Sequence, residues 1–125
     1  MADVGTLGAQ AFHPYRCRVR GYGVAMLVAF SISPTSSDPS GSVTEAVAAA
    51  VRVVRESGLP HETNAMFTNI EGEWDEVMTV VKRAVDVVAE VSPRVGLVLK
   101  ADIRPGYDGQ LTAKVERIEE TLRGE

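Results

Sequence analysis

The sequence has few of the residues from which catalytic and metal sites are usually built. Cys17 is its only cysteine, and His13 and His61 are its only histidines. A single cysteine excludes an internal disulfide and a multi-cysteine metal cluster, and neither histidine has a cysteine or a second histidine at metal-ligand spacing. Ser31 and Ser33 lack the Gly-x-Ser-x-Gly surroundings of a hydrolase nucleophile. The sequence therefore predicts no catalytic residue, no metal site and no cofactor, and a protein that is not an enzyme.

Long apolar runs are also missing. The run AVAAAVRVV at residues 46–54 contains an arginine, and it is well short of the ~20 apolar residues that span a bilayer. The segment VAMLVAF at residues 24–30 follows three arginines, but it continues into a strand pattern and has no small-residue cleavage site. We expect a cytoplasmic protein without a membrane partner, and the single cysteine agrees with a reducing compartment.

Negative charge exceeds positive charge, and it is unevenly distributed. The formal net charge is −4; residues 1–25 carry three arginines and one aspartate (+2), so residues 26–125 carry −6. An acidic domain binds a phosphate backbone poorly, which argues against a nucleic-acid partner. Such a surface keeps a protein soluble, and it also tolerates a cationic small molecule.

Regular patterning begins near Met26. Residues 1–24 mix glycine, alanine, arginine and single aromatics without a helical or strand period. We expect residues 1–25 to be a flexible N-terminal extension, or an upstream extension of the reading frame with Met26 as the functional start. Residues 26–125 are expected to form one domain.

The patterned region predicts four strands and three helices. Residues 26–33 alternate as a half-buried strand, with Val28, Phe30 and Ile32 on one face. Ser42 and Glu45 fit a capping box at the start of the first helix, and all three helices carry an apolar stripe. The stripes comprise Val43, Val47, Ala50, Val51 and Val54 in the first helix, Trp74, Val77, Met78, Val81, Ala84, Val85 and Val88 in the second, and Leu111, Val115, Ile118 and Leu122 in the third.

The order β-α-β-β-α-β-α predicts an α+β fold. It is typical of the ferredoxin-like (split β-α-β) two-layer sandwich, with an antiparallel four-stranded sheet and here an added C-terminal helix. Two helices cover only one face of such a sheet, and the other face is half apolar and half polar, as in surfaces that meet a partner. That face comprises Leu27, Ala29, Ser31 and Ser33 on the first strand and Val98, Lys100 and Asp102 on the last. We expect a homo-oligomer paired through the sheet faces, with any ligand near the edge of the interface.

The stretch IEGEWDEV at residues 70–77 joins a strand to the second helix. Its later acids, from Glu73 onward, lie where negative charge complements a helix dipole, and Trp74 is expected to pack inward. Glu71 precedes that helix on the strand and gains nothing from its dipole, so it is either a ligand contact or a solvent-facing edge residue. Asn64, Met66 and Thr68 are expected to alternate on one face of the preceding strand, lining a ligand or a subunit contact.

Four segments in this order resemble the YkoF-like thiamine-binding protein family: MLVAFSISP, SVTEAVAAAVRVVRESGLPHE, MFTNIEGEWDEVMTVVKRA and RVGLVLKADIRPG. The resemblance covers about residues 26–122, and T-x-IEGEWDEV is its most specific block. It implies a ferredoxin-like fold, dimers or tetramers assembled through sheet faces, and binding of thiamine or its hydroxymethylpyrimidine part without chemical turnover. The family archetype carries two such domains in tandem, whereas this chain has one and would have to oligomerise to build the pair.

The resemblance and the strand pattern together suggest ligand-binding positions. The predicted residues are Ser31, Ser33, Asn64, Met66, Thr68, Ile70, Glu71 and Trp74. The thiazolium cation of thiamine would be met by Glu71 or by an aromatic face, and its aminopyrimidine by the hydroxyl and amide groups of Ser31, Asn64 or Thr68.

Two hypotheses about function stay open. The first is a non-enzymatic binding protein for thiamine or a related pyrimidine. The alternative is an oligomeric ferredoxin-like interaction or regulatory module that binds another metabolite or no small molecule. The first hypothesis requires a cavity near Glu71 and Thr68 that remains open after assembly.

Overall fold

The computed structural model describes residues 25–35 and 43–125. The elements are β1 (Ala25–Pro34), α1 (Thr44–Glu56), β2 (His61–Thr63), β3 (Thr68–Glu73), α2 (Trp74–Ala89), β4 (Val95–Ile103) and α3 (Gln110–Arg123). The predicted element order is confirmed. The predicted cap Ser42 and all but the last residue of the predicted N-terminal extension lie outside the described residues.

The four strands form one sheet in the order β2-β3-β1-β4, and every neighbouring pair is antiparallel. This is the ferredoxin-like α+β arrangement that the element order predicts. Val28 lies opposite Ile70 of β3 and Ala101 of β4, and side chains alternate between the faces along each strand. The predicted alternation of β1 is confirmed because Val28 and Phe30 are buried on the face that the helices cover.

Strand β3 stops pairing with β1 before β1 ends. Residues Ala25 to Phe30 of β1 pair with β3, whereas Met26 to Pro34 pair with β4. Among the described residues, 31–34 of β1 therefore have a strand partner on one side only. The other side is a notch in the sheet, and the turn between β2 and β3 lies beside it.

Helices α1 and α2 pack on one face of the sheet and on each other. The core they close contains Met26, Val28, Phe30, Ala50, Val53, Val54, Leu59, Ile70, Val77, Val80, Val81, Ala84 and Val88. Each large apolar side chain buried in this way stabilises the fold by about 1.5–3 kcal/mol. Val53 and Val80 were not in the predicted stripes, because a helix that contacts both a sheet and a second helix buries a wider arc than one stripe.

Trp74 does not pack inward, so that prediction is wrong. Its side chain is 55% exposed at the start of α2. Strand β3 passes into α2 without a loop, and Val77, one turn later, already covers the end of β3 beside Gly72. No core space remains there for the indole.

Helix α3 contributes nothing to the buried core. It contacts β3, but none of its residues is buried. Its predicted stripe is exposed, with Val115, Ile118 and Leu122 between 54% and 59% accessible. No described helix combines the length and the apolar character needed to cross a membrane.

Candidate functional site

The notch beside β1 opens into a cleft of about 360 Å³. Its walls come from the end of β1, one side of α1 and the β2-β3 turn. This notch cleft is lined by Phe30, Ser31, Ile32, Ser33, Val47, Ala50, Val51, Thr63, Asn64, Ala65, Met66, Phe67 and Thr68. Small-molecule sites in proteins usually enclose about 300–1,000 Å³, so the cleft has the volume for such a ligand.

Five of the eight predicted ligand residues line the notch cleft. Ser31 and Ser33 reach it because β1 continues past the end of its pairing with β3. Thr68 reaches it because it is the first residue of β3. Asn64 and Met66 complete the group from the turn.

Asn64 and Met66 do not lie on a strand, which corrects the predicted alternation of residues 64, 66 and 68. Strand β2 ends at Thr63, and Asn64 begins the turn. The side-chain oxygen of Asn64 accepts hydrogen bonds from the backbone N–H groups of Met66 and Phe67, both at 2.9 Å. Asparagine stabilises turns in this way, and the bonds hold Met66 and Phe67 at the mouth of the cleft.

The chemistry of the notch cleft combines apolar surface with neutral polar groups. Phe30 and Phe67 supply aromatic rings, while serine and threonine side chains supply hydroxyls. Thr68 is only 8% exposed, and its Oγ1 lies 3.5 Å from Oγ1 of Thr63. None of the described lining residues carries a charge. This combination suits a planar heterocycle whose faces contact apolar groups and whose ring nitrogens and amino groups form hydrogen bonds.

The other three predicted residues lie elsewhere. Ile70 is fully buried in the core, opposite Val28. Trp74 is exposed at the start of α2. Glu71 lies on the sheet face that α1 and α2 leave uncovered, paired across the sheet with Leu27.

Glu71 is engaged by the backbone of α3. Its Oε2 accepts a hydrogen bond from Gln110 N at 2.9 Å, its Oε1 accepts one from Leu111 N at 3.1 Å, and the residue is only 4% exposed. The first amides of a helix have no partner within the helix and carry its positive dipole end, so a carboxylate there is stabilising. The alternative that Glu71 is a solvent-facing edge residue is therefore wrong, and the helix dipole that its carboxylate meets is that of α3, not that of α2. The void beside Glu71 measures about 20 Å³, which is space for roughly one water molecule.

A second set of polar contacts holds α3 to the same sheet face. Lys114 donates a hydrogen bond to Asp102 of β4. This hydrogen bond and the positive charge of Lys114 lower the pKa of the Asp102 carboxyl, and Arg104 and Lys100 lower it further. The guanidinium of Arg104 lies 3.5 Å from the ring centre of Tyr107 in the connection to α3.

A larger groove of about 730 Å³ separates α3 from β2. It is lined by His61, Glu62, Leu111, Thr112, Val115, Glu116, Glu119, Glu120 and Arg123. Nδ1 of His61 lies 2.8 Å from the carbonyl oxygen of Leu59, so this histidine has a structural partner. In residues 25–35 and 43–125 no group of three histidine, cysteine or acidic side chains is arranged to hold a metal ion.

The sequence did not reveal the contribution of α1 and of the turn aromatic. Val47 and Val51 were predicted as core residues, and both are half-buried walls of the notch cleft. Phe67 lies between two predicted ligand residues, Met66 and Thr68, and had no predicted role. Only the spatial approach of α1 to the β2-β3 turn distinguishes these residues from ordinary core positions.

Comparison with known proteins identifies relatives over most of the chain. A family model described as thiamine-binding protein matches residues 28–119. The UPF0045 protein of Mycobacterium bovis is 51% identical over 100 residues, which cover 79% of this chain and 96% of the relative.

Two solved structures extend the comparison. A hypothetical protein from Methanocaldococcus jannaschii has a TM-score of 0.69 and 32% identity, with 77% of this chain and 97% of that chain covered. A Thermotoga maritima protein assigned provisionally to thiamine biosynthesis or salvage has a TM-score of 0.63 and 22% identity, with coverage of 74% and 98%. The similarity to the Thermotoga maritima protein, at 22% identity, shows a shared fold.

Proposed function

The chain belongs to the thiamine-binding protein family, and on that premise we propose that it binds thiamine or its hydroxymethylpyrimidine part in the notch cleft, without chemical turnover. The observation that carries this proposal is that Ser31, Ser33, Asn64, Met66 and Thr68 line one cleft of about 360 Å³. These residues come from two separate segments of the chain, residues 31–33 and 64–68, and α1 supplies a third wall of the cleft. Their convergence on a cavity of ligand size supports binding more directly than any one of them does.

The neutral lining favours the aminopyrimidine as the part held deepest. Its ring stacks against apolar groups such as Phe30, and its amino group and ring nitrogens exchange hydrogen bonds with Ser31 and Thr68. The thiazolium, a permanent cation, lies nearer the mouth, where the ring of Phe67 provides a cation-π surface. Glu71 is left out of the proposed ligand set because its carboxylate caps α3 and faces a void of about 20 Å³.

A thermal-shift titration with thiamine, thiamine phosphate and hydroxymethylpyrimidine tests the proposal, with sodium sulfate as the control. A ligand at 100 times its dissociation constant adds about 2.7 kcal/mol to the free energy of unfolding. For a domain of about 100 residues each kcal/mol raises the melting temperature by roughly 4–8 °C. A saturable rise with the pyrimidines and none with sulfate is expected. No rise up to millimolar concentrations of all three compounds would overturn the proposal.

The variant Thr68→Val locates the site. It keeps the volume of the buried side chain and removes the hydroxyl, so the dissociation constant should rise about fivefold, the value of one hydrogen bond. Thr79→Val, at an exposed position of α2, is the matched control and should bind as the wild type does. Equal affinity in both variants would place the ligand outside the notch cleft.

A second function is favoured by one observation, the exposed stripe of α3. Among the described residues, Val115, Ile118 and Leu122 of this stripe stay more than half exposed, and an exposed apolar stripe of this kind is typical of an interaction surface. In this alternative the protein is an oligomeric interaction module, and the stripe and the open sheet face are covered by further copies of the chain. Absence of pyrimidine binding together with concentration-dependent self-association would favour it.

A further inference from the structure

A second cavity adjoins the notch cleft on the outer side of α1. It measures about 510 Å³ and is lined by Val43, Thr44, Val47, Ala48, Val51, Arg52 and Arg55. Val47 and Val51 line both cavities. The two cavities therefore share one ridge of α1, and a ligand that occupied both would cross this ridge.

The two arginines of this outer cavity are placed to reach the ridge. Val47, Val51 and Arg55 are spaced four residues apart, so they form one row along α1. Side chains on a helix lean toward its N-terminus and cover the preceding turn. The side chain of Arg55 therefore leans toward Val51, and Arg52 follows Val51 directly in the helix.

The electrostatics of the outer cavity are those of an anion site. None of its described lining residues is acidic. Neither Arg52 nor Arg55 forms an ion pair within residues 25–35 and 43–125. This contrasts with Lys82 and Lys114, each of which pairs with an aspartate. A pair of unneutralised guanidinium groups beside an apolar ridge is suited to a phosphate group, which arginine binds through paired N–H donors.

We propose that Arg52 and Arg55 bind the phosphate of a phosphorylated ligand whose heterocycle occupies the notch cleft, so that phosphate esters of thiamine bind more tightly than thiamine. This inference rests on the proposed function. The pyrimidine lies in the notch cleft, the thiazolium lies at its mouth near the Val47 and Val51 ridge, and the ester reaches the arginines. Unphosphorylated thiamine has no negative group to offer there, and its cationic ring is repelled by the same two charges.

Isothermal titration calorimetry with thiamine, thiamine monophosphate and thiamine diphosphate tests the inference. The titrations compare the wild type with the double variant Arg52→Gln/Arg55→Gln, which is the test variant. The matched control is Arg83→Gln/Arg94→Gln, which removes two exposed arginines outside both cavities. The test variant should lose about five- to tenfold in affinity for the esters and bind thiamine as tightly as the wild type or more tightly. The control should bind all three compounds as the wild type does. Raising the salt concentration should weaken binding of the esters in the wild type and have little effect in the test variant.

The outcomes separate the two proposals. Thiamine binding without a preference for its esters, or an equal loss of all three affinities in the test variant, would overturn the phosphate site and leave the notch cleft in place. Loss of ester affinity in the control variant would also overturn it, since net charge alone would then explain the effect. Absence of binding by all three compounds would overturn the proposed function itself.

Discussion

Glu71 and Gln110 are separated by 39 residues in the chain and joined by a hydrogen bond of 2.9 Å. The buried carboxylate of Glu71 supplies the capping group that the sequence before α3 lacks, because the N-cap position is Gly109, which has no side chain. A helix without buried residues is thus attached to the sheet at its N-terminus. This contact predicts how α3 responds to mutation.

Replacement Glu71→Gln should loosen α3. Glutamine keeps one acceptor oxygen but directs an NH₂ group at the second backbone N–H, and the negative charge at the helix dipole is lost. The free energy of unfolding should fall by about 1–2 kcal/mol. Relative to the wild type, amide hydrogen exchange should become faster in α3 and stay the same in α2. Glu62→Gln on the exposed neighbouring strand is the control. Unchanged exchange in α3 together with weaker pyrimidine binding would assign Glu71 to the ligand instead.

Replacement Gly72→Ala should destabilise the junction of β3 and α2. A Cβ atom at this position would lie 3.2 Å from Val77 Cγ2 and 3.3 Å from Leu59 Cδ1. Both neighbours belong to the packed core, and overpacking of this kind costs about 1–3 kcal/mol. At Gly96 the nearest atoms are 3.6 and 3.7 Å away, so Gly96→Ala should be neutral. Urea unfolding of the two variants measures the contrast, and equal stabilities would contradict the packing described at Gly72.

The ion pair of Asp102 and Lys114 should make stability depend on pH in a defined direction. The pKa of Asp102 is lowered in the folded protein from its ordinary value of 3.8. The pair therefore stabilises the fold above about pH 4, and this stabilisation is lost as the pH falls through the lowered pKa. The difference in the free energy of unfolding between the wild type and Asp102→Asn should be present at pH 7. It should vanish once the pH falls below the lowered pKa of Asp102. Since both side chains are partly exposed, molar salt should reduce it at pH 7. A difference that persists in acid would contradict the ion pair as its cause.

The exposed stripe of α3 predicts self-association. Ile118→Lys places a charge at the centre of the stripe, where the isoleucine side chain is 59% exposed in the described part of the chain. The melting temperature of the dilute protein should hardly change, while the molar mass measured by light scattering should fall toward that of the monomer. Thr121→Lys adds the same charge at a position outside the stripe and should assemble as the wild type does. A wild-type chain that stays monomeric at all concentrations would contradict the prediction.

The sequence predicted the fold well because most core residues lie in strands or helices with a regular spacing of apolar residues. The alternation around Val28 and the helical spacing around Val81 both survive in the structure. The site was predicted less completely. Ser31 and Thr68 were predicted as ligand residues and both line the notch cleft, but their meeting depends on where β3 stops along β1, which is a property of strand register. The capping of α3 by Glu71 is a contact between distant segments that no local period records.

All the buried apolar residues of the described chain lie between Ala25 and Val88. The helix that follows β4 completes no part of this core, and its first residue, Gln110, comes 22 residues (110 − 88) after Val88. During synthesis at about 5–20 residues per second, those residues take roughly 1–4 s to add. Every core side chain has therefore been polymerised before translation of the C-terminal helix begins. Formation of the core therefore requires no residue of that helix.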